Sequence, residues 1–156
     1  MTNPQRPSAE HAILVLGLDH VQLAMPPGRE GAARHFYGTI LGLREIAKPA
    51  PLAARGGCWF EGPGTQINLC IEEEFVPARK AHPALRVADL DVCRQVPAAA
   101  GIQAVPDTTL PHVRRFYAAD PFGNRIELIQ AGDSFAQLMN KEAQQAQPDD
   151  TATTGM

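Results

Sequence analysis

The sequence predicts an α+β fold built from two consecutive βαβββ modules. Three observations predict it. The chain resembles itself at a nearly constant offset: His20 and His82 stand 62 residues apart, and GTQINL at 64–69 and GNRIEL at 123–128 stand 59 apart. A three-residue difference between such offsets is an ordinary loop change. Each half holds one segment of helical apolar spacing, and the remaining segments are short and alternate polar with apolar residues, as strands do.

The elements follow in order. LDHVQLAM alternates and ends at Pro26-Pro27, as a first strand would. REGAARHFYGTILGL places Ala33, Phe36, Tyr37, Ile40 and Leu41 on one stripe, with Gly42 placed to end the helix. LREIAK, GGCWFEG and TQINLCIEE read as three further strands, and Gly62-Pro63-Gly64 reads as the turn between the last two. The second half opens with AHPALRVADLD. Its helix is DLDVCRQVPAAAG, with Asp89 or Asp91 as N-cap, Pro97 shortening it and Gly101 ending it. IQAVPD, VRRFYAAD and NRIELIQ supply three more strands. No phosphate-cradling glycine pattern is present, and the order of elements is not the βαβα of a dinucleotide-binding fold.

The bulk composition bounds the function. With 156 residues, 44% hydrophobic and 20% charged, the chain suits one ordinary domain that needs neither disulfides nor a structural metal. The expected domain is 11–138, with module 1 at about 11–75, module 2 at about 80–131, and flexible tails at 1–10 and 139–156. A formal net charge of −3 and scattered basic residues argue against nucleic acid or an acidic membrane as partner. The tightest basic pairs, Arg79-Lys80 and Arg114-Arg115, read as solvated surface or as a hold on a small anionic substrate. Residues 12–18 form an apolar run far too short to span a bilayer, and no secretory signal opens the chain. Cys58, Cys70 and Cys93 make an odd count without metal-type spacing, so free thiols in a reducing cytoplasm are expected.

Strand parity then selects the chemistry. His20 and Gln22 share a face opposite Val21 and Leu23, and Gln66, Asn68 and Cys70 oppose Ile67, Leu69 and Ile71. His82, Ala84 and Arg86 oppose Leu85 and Val87; Arg125 and Glu127 oppose Ile126 and Leu128. The plain alternative is a sheet with one face in water. That accounts for polarity, but not for His, His and Glu at matching points of two repeats. If the sheets curl toward one another, His20, Asn68, His82 and Glu127 become four quasi-equivalent positions around a cleft. Two imidazoles and a carboxylate are the donor set of an open divalent site, so His20, His82 and Glu127 are the predicted metal ligands. Arg115 and Tyr117 share parity on their strand, Arg115 offering a carboxylate- or phosphate-binding fork. Trp59, the one tryptophan, either walls the cleft or packs in the core. His11, His35 and His112 have no partner pattern and read as surface.

The phrases LDHVQLA, FYGTILGL and DPFGNRIEL resemble those of the vicinal oxygen chelate superfamily, over about residues 14–130. That group holds glyoxalase I, extradiol dioxygenases, methylmalonyl-CoA epimerase, fosfomycin-resistance thiol transferases and bleomycin-resistance proteins. The resemblance implies a curled mixed sheet around a metal-binding cleft, with His20, His82 and Glu127 in the ligand positions and Tyr117 near the metal. It implies one divalent ion (Fe2+, Mn2+, Zn2+ or Ni2+), a small substrate chelated through adjacent oxygens, a homodimer, and lyase or isomerase, dioxygenase or thiol-transfer chemistry. Asn68 departs from the pattern, because glyoxalase I carries a carboxylate ligand and base there and an amide accepts no proton at neutral pH. Pro83 is a second departure; it removes a ladder donor and marks an edge or strand-start position. The alternative implied by the same resemblance is a metal-free binding protein of the bleomycin-resistance kind. Such a cleft is lined with aromatic residues, and only 6% of this chain is aromatic.

Overall fold

The computed structural model describes residues 15–95, 103–133 and 135–145. The tail at 1–10, His11, Pro97 and Gly101 lie outside the described residues. The first module runs β1 (Val21–Met25), α1 (Glu30–Ala33), β2 (Arg44–Ile46), a single helical turn α2 (Ala50–Ala53), β3 (Cys58–Gly62) and β4 (Thr65–Ile71). The second runs β5 (Ala84–Val87), α3 (Leu90–Gln95), β6 (Val105–Asp107), β7 (Arg115–Ala119) and β8 (Arg125–Gln130), followed by a closing helix α4 (Phe135–Gln145). Both α2 and α4 are absent from the sequence reading.

The β-structure is two four-stranded mixed sheets, neither of them closed, in the orders β1-β4-β3-β2 and β5-β8-β7-β6. In each, the first strand lies parallel to the last and the other neighbours are antiparallel. The duplication therefore holds at the level of register. Gln22, Asn68 and Trp59 stand in one cross-strand row, and Ala84, Glu127 and Tyr117 stand in the corresponding row of the other sheet. β5 lies at an edge and begins just after Pro83, where the missing amide removes no ladder bond.

The helical stripe buries as its spacing predicts, with Ala33, Phe36 and Tyr37 inside. α1 continues over Arg34–Ile40 as a π-helix, the Leu41 amide donating to the Phe36 carbonyl at 2.9 Å. Gly42 follows with φ +70°, the left-handed conformation that ends a helix most readily with glycine. In the second module the cap is Asp89, whose Oδ1 accepts from the amides of Asp91 and Val92 at 2.9 and 3.2 Å. Leu23, Met25, Ile67, Leu69, Ile126 and Leu128 face these helices, and the two modules share one core with Phe60 and Phe116. Among the described residues no helix is long and apolar enough to cross a membrane. The three cysteines are all unpaired, and burial pushes the Cys58 thiol up from its ordinary value.

The modules are joined by a buried polar node in the turn between β7 and β8. Asp120 is 3% exposed and its carboxylate takes four hydrogen bonds. Phe122 N and Asn124 N donate to Oδ1 at 2.9 and 2.8 Å; the Tyr37 hydroxyl and Asn124 Nδ2 donate to Oδ2, both at 2.9 Å. Asn124 Nδ2 also reaches the Ala24 carbonyl of β1 at 2.8 Å, and its Oδ1 accepts from Ala78 N at 3.0 Å. Every oxygen of this buried carboxylate is satisfied, which is the condition for burying it at all. Burial first, and then the Asp120 charge, push the Tyr37 phenol well above its ordinary value near 10.

Two outcomes follow for stability. Asp120→Ala leaves several buried donors without an acceptor and should cost about 3 kcal/mol in urea denaturation. Tyr37→Phe, which keeps the ring, should cost about 1 kcal/mol near neutral pH. The unfolded chain ionises Tyr37 near pH 10 while the folded chain resists, so its contribution is complete below that pH and is lost as pH rises beyond it. The wild type should therefore lose stability above pH 10 more steeply than Tyr37→Phe; parallel profiles would contradict the assignment.

Candidate functional site

The polar row of the second sheet is a closed network rather than a wet face. Glu127 on β8 is 3% exposed and both its oxygens are engaged. His82, two residues before β5, brings Nε2 to 2.9 Å from Glu127 Oε2. Arg115 on β7 donates from Nη1 to Glu127 Oε1 and from Nη2 to Asp107 Oδ2, both at 2.8 Å. Tyr117 stands directly across from Glu127 and meets the His82 ring edge-on, with centroids 5.4 Å apart. Burial opposes the charge on Arg115, but the Glu127 carboxylate outweighs it and holds the guanidinium above its ordinary range. Phe135, at the start of α4, lies under the same guanidinium at 4.9 Å.

His82 sits between two acceptors. Its Nδ1 is 2.8 Å from the Lys80 carbonyl, and its Nε2 faces the Glu127 carboxylate. The carbonyl only accepts, and so does the carboxylate when ionised. Against an ionised Glu127 the ring satisfies both with a proton on each nitrogen, or with a cation held by Nε2 and the carboxylate together. A ring whose Nδ1 is anchored on a backbone carbonyl is held as metal-binding histidines are held, with Nε2 presented to a ligand or to the neighbouring carboxylate.

The other predicted residues lie on the first sheet. Asn68 is 2% exposed, and its Oδ1 accepts from Gln66 Nε2 at 3.2 Å. Trp59 stands beside it in register, with a buried indole N–H that has no hydrogen-bond partner. His20 precedes β1 and holds Asp19 Oδ1 through Nδ1 at 2.6 Å, its side chain 42% exposed. His20 and His82 line one groove of about 380 Å³ at the seam between β1 and β5. They do not converge with Glu127: among the described residues no three His, Cys, Asp or Glu side chains lie close enough to hold one metal ion. The chain alone thus joins His82, Glu127, Tyr117 and Arg115, joins Asn68 with Trp59, and leaves His20 apart. His35 and His112 are exposed, as their lack of pattern suggested. Asp107 and Phe135 escaped the sequence reading; parity within one strand gives no signal for the register that sets Asp107 of β6 opposite Arg115 of β7, or for a helix laid against Arg115.

Among solved structures, a glyoxalase family protein from Bacillus anthracis is 45% identical, with a TM-score of 0.71 over 76% of this chain and 98% of that one. The chain belongs to the glyoxalase family of the vicinal oxygen chelate superfamily. This glyoxalase-family chain is also similar to a glyoxalase/dioxygenase from Nostoc punctiforme, at 26% identity and TM-score 0.58 over 83% and 97% of the two chains. It shares its fold with the fosfomycin resistance protein FosX of Listeria monocytogenes, at 19% identity and TM-score 0.64 over 82% and 99%. No protein-family model and no curated protein matches it.

Arg115 is the group on which the network turns. Arg115→Met keeps much of the side-chain volume but leaves Glu127 as a buried charge without its guanidinium partner. It should cost about 3 kcal/mol in urea denaturation. In the Glu127→Gln background the same change should cost much less, and equal costs would show that the pair is not coupled.

Proposed function

We propose that this protein is a divalent-metal-dependent enzyme acting on a small substrate that chelates the metal through two adjacent oxygens. In this reading His82 and Glu127 hold the ion together with His20 of the partner subunit in a homodimer. The observation that carries it is His82 held between two acceptors, which a bound cation resolves without a second proton on the ring. The donor set of imidazole nitrogens and one carboxylate suits Fe2+, Mn2+, Zn2+ and Ni2+ alike and leaves coordination positions open. When bound, the ion supplies Lewis-acid charge to an oxygen of the substrate.

The chain's own residues do the rest. Lys80 O fixes the His82 ring, and Arg115 holds Glu127 oriented through one oxygen while the other faces His82. Glu127 is the group placed to carry a proton, since Asn68 at the matching point of the first module is an amide and accepts none. Tyr117 offers a phenol hydroxyl beside the same pair. Trp59 and Asn68 of the first sheet are the candidates for meeting a substrate oxygen, through the indole N–H and the side-chain amide.

Two features favour completion by a second copy. His20 is separated from the pair within the chain, and the segment leading to it exposes Val15, Leu16 and Leu18 at 78%, 90% and 81%. An apolar arm of that exposure fits a self-complementary interface.

Wild-type protein incubated with these metals should bind about one ion per chain, and His82→Ala or Glu127→Ala should each abolish tight binding. A purified heterodimer of His20→Ala and His82→Ala chains should bind one ion, because it retains one intact set of ligands. A heterodimer that binds none would place the site within one chain. A wild type that stays metal-free throughout would end the metal reading and leave the metal-free binder. Turnover assays with a catechol, the methylglyoxal–glutathione adduct and fosfomycin then separate the reaction classes.

A further inference from the structure

We propose that the groove beside the His82–Glu127 pair is a binding site for a compact oxyanion, a carboxylate or phosphate group carried by the substrate, and that Arg125 and Arg79 form it. The groove has a volume of about 570 Å³ and is lined by Arg79, Gln103, Val105, Tyr117, Phe122 and Arg125, among others. Its position as a substrate subsite rests on the metal-enzyme reading above; its affinity for an anion does not.

The argument begins with the distribution of charge. Arg34, Arg44, Arg94, Arg114 and Arg115 all sit on carboxylates. Arg115, the sequence candidate for holding an anion, has both terminal nitrogens on Glu127 and Asp107 and is neutralised in place. Among the described residues, Arg125 and Arg79 have no ion pair and no carboxylate lines their groove. Two uncompensated guanidinium groups in one concave surface raise the local potential and draw an anion.

The geometry adds direction. The Arg125 guanidinium carbon lies 3.6 Å from the centre of the Tyr117 ring, so the fork is half-buried and stacked rather than free in solvent. Its Nη1 is 3.5 Å from the Arg79 carbonyl, and its amide donates to Ala78 O at 2.8 Å, which ties the two arginines' backbones together. A guanidinium held this way loses less freedom on gripping an oxyanion than a free one would. Arg125 and Glu127 point to the same face of β8, two residues and thus roughly 7 Å apart along the strand. Tyr117 bridges them, its ring perpendicular to the His82 ring and its face against Arg125. That span fits a small acid whose chelating oxygens lie at the His82–Glu127 pair and whose charged end lies on Arg125.

The test uses full-length protein stripped of metal, titrated at low ionic strength with inorganic phosphate and, separately, with acetate. The arginine Nε–Hε resonances report binding. Phosphate, acetate or both should shift the Arg125 and Arg79 signals saturably, and the tighter of the two names the charged group. Arg125→Gln should weaken binding roughly ten-fold, the loss expected for one charge-assisted hydrogen-bonding group. Arg79→Gln should weaken it as well, and Arg55→Gln should leave it unchanged. His82→Ala should bind the anion normally although it no longer loads metal, which separates this site from the metal reading. Shifts that fail to saturate with either anion, or that saturate equally in Arg125→Gln, would overturn the proposal even if the protein binds metal tightly.

Discussion

A single buried carboxylate holds the architecture together. Asp120 lies in the tight turn between the last two strands, yet it accepts the Tyr37 hydroxyl from the first module's helix. Asn124, locked by that carboxylate, spans to the backbone of β1 and to the segment entering the second module. An ionised group inside a protein is tolerated only when its oxygens are satisfied, so the turn, the helix and β1 must adopt one mutual arrangement or bury an unpaired charge. Apolar contacts supply most of the stabilisation, but they are indifferent to small slips. The polar node removes that indifference and fixes how the two sheets sit side by side.

That arrangement decides what each polar row encounters. On the second sheet, Glu127 is enclosed by Arg115, His82 and Tyr117, and Arg115 is in turn balanced by Asp107. On the first sheet the matching row is uncharged, with Asn68 buried, Trp59 half-buried and the buried indole N–H without a partner among the described residues. The duplicated modules have thus diverged in chemistry while keeping the same register. One carries the His82–Glu127 pair and its arginine; the other carries a buried amide and an indole N–H. Arg125, two residues from Glu127 on the same strand, extends the charged row outward into open surface.

Much of this was legible beforehand. The eight strands coincide with alternating segments, and the first helix buries the stripe its spacing marks. Gly42 ends that helix with the positive φ its position suggests, and the DPFGN turn falls between β7 and β8. Placing Glu127, Tyr117 and Arg115 on one face needed only a period of two, and the pairing of His82 with Glu127 needed only that β5 and β8 be neighbours in a repeat. The π-helical course of Arg34–Ile40 was not legible, because i,i+3 and i,i+4 spacing is read the same way whether the turn is tight or wide. The closing helix is harder to read: Phe135, Leu138 and Met139 stand at helical spacing in its first turns, but the polar KEAQQ run that completes it has no large apolar residue to continue the stripe.

The sequence by itself determined the two βαβββ modules, the apolar faces that drive them together, and the set of polar side chains on the opposite faces. These follow from local periodicity, which each segment carries within its own few residues. Only the tertiary structure decided which of those side chains meet. It set His82 against Glu127, placed Arg115 between two carboxylates, left Arg125 without an ion pair among the described residues, and put His20 in a groove with His82 without gathering it and Glu127 into one cluster. Distances of that kind depend on how two sheets dock through a buried charge, and no local pattern encodes the outcome of that packing.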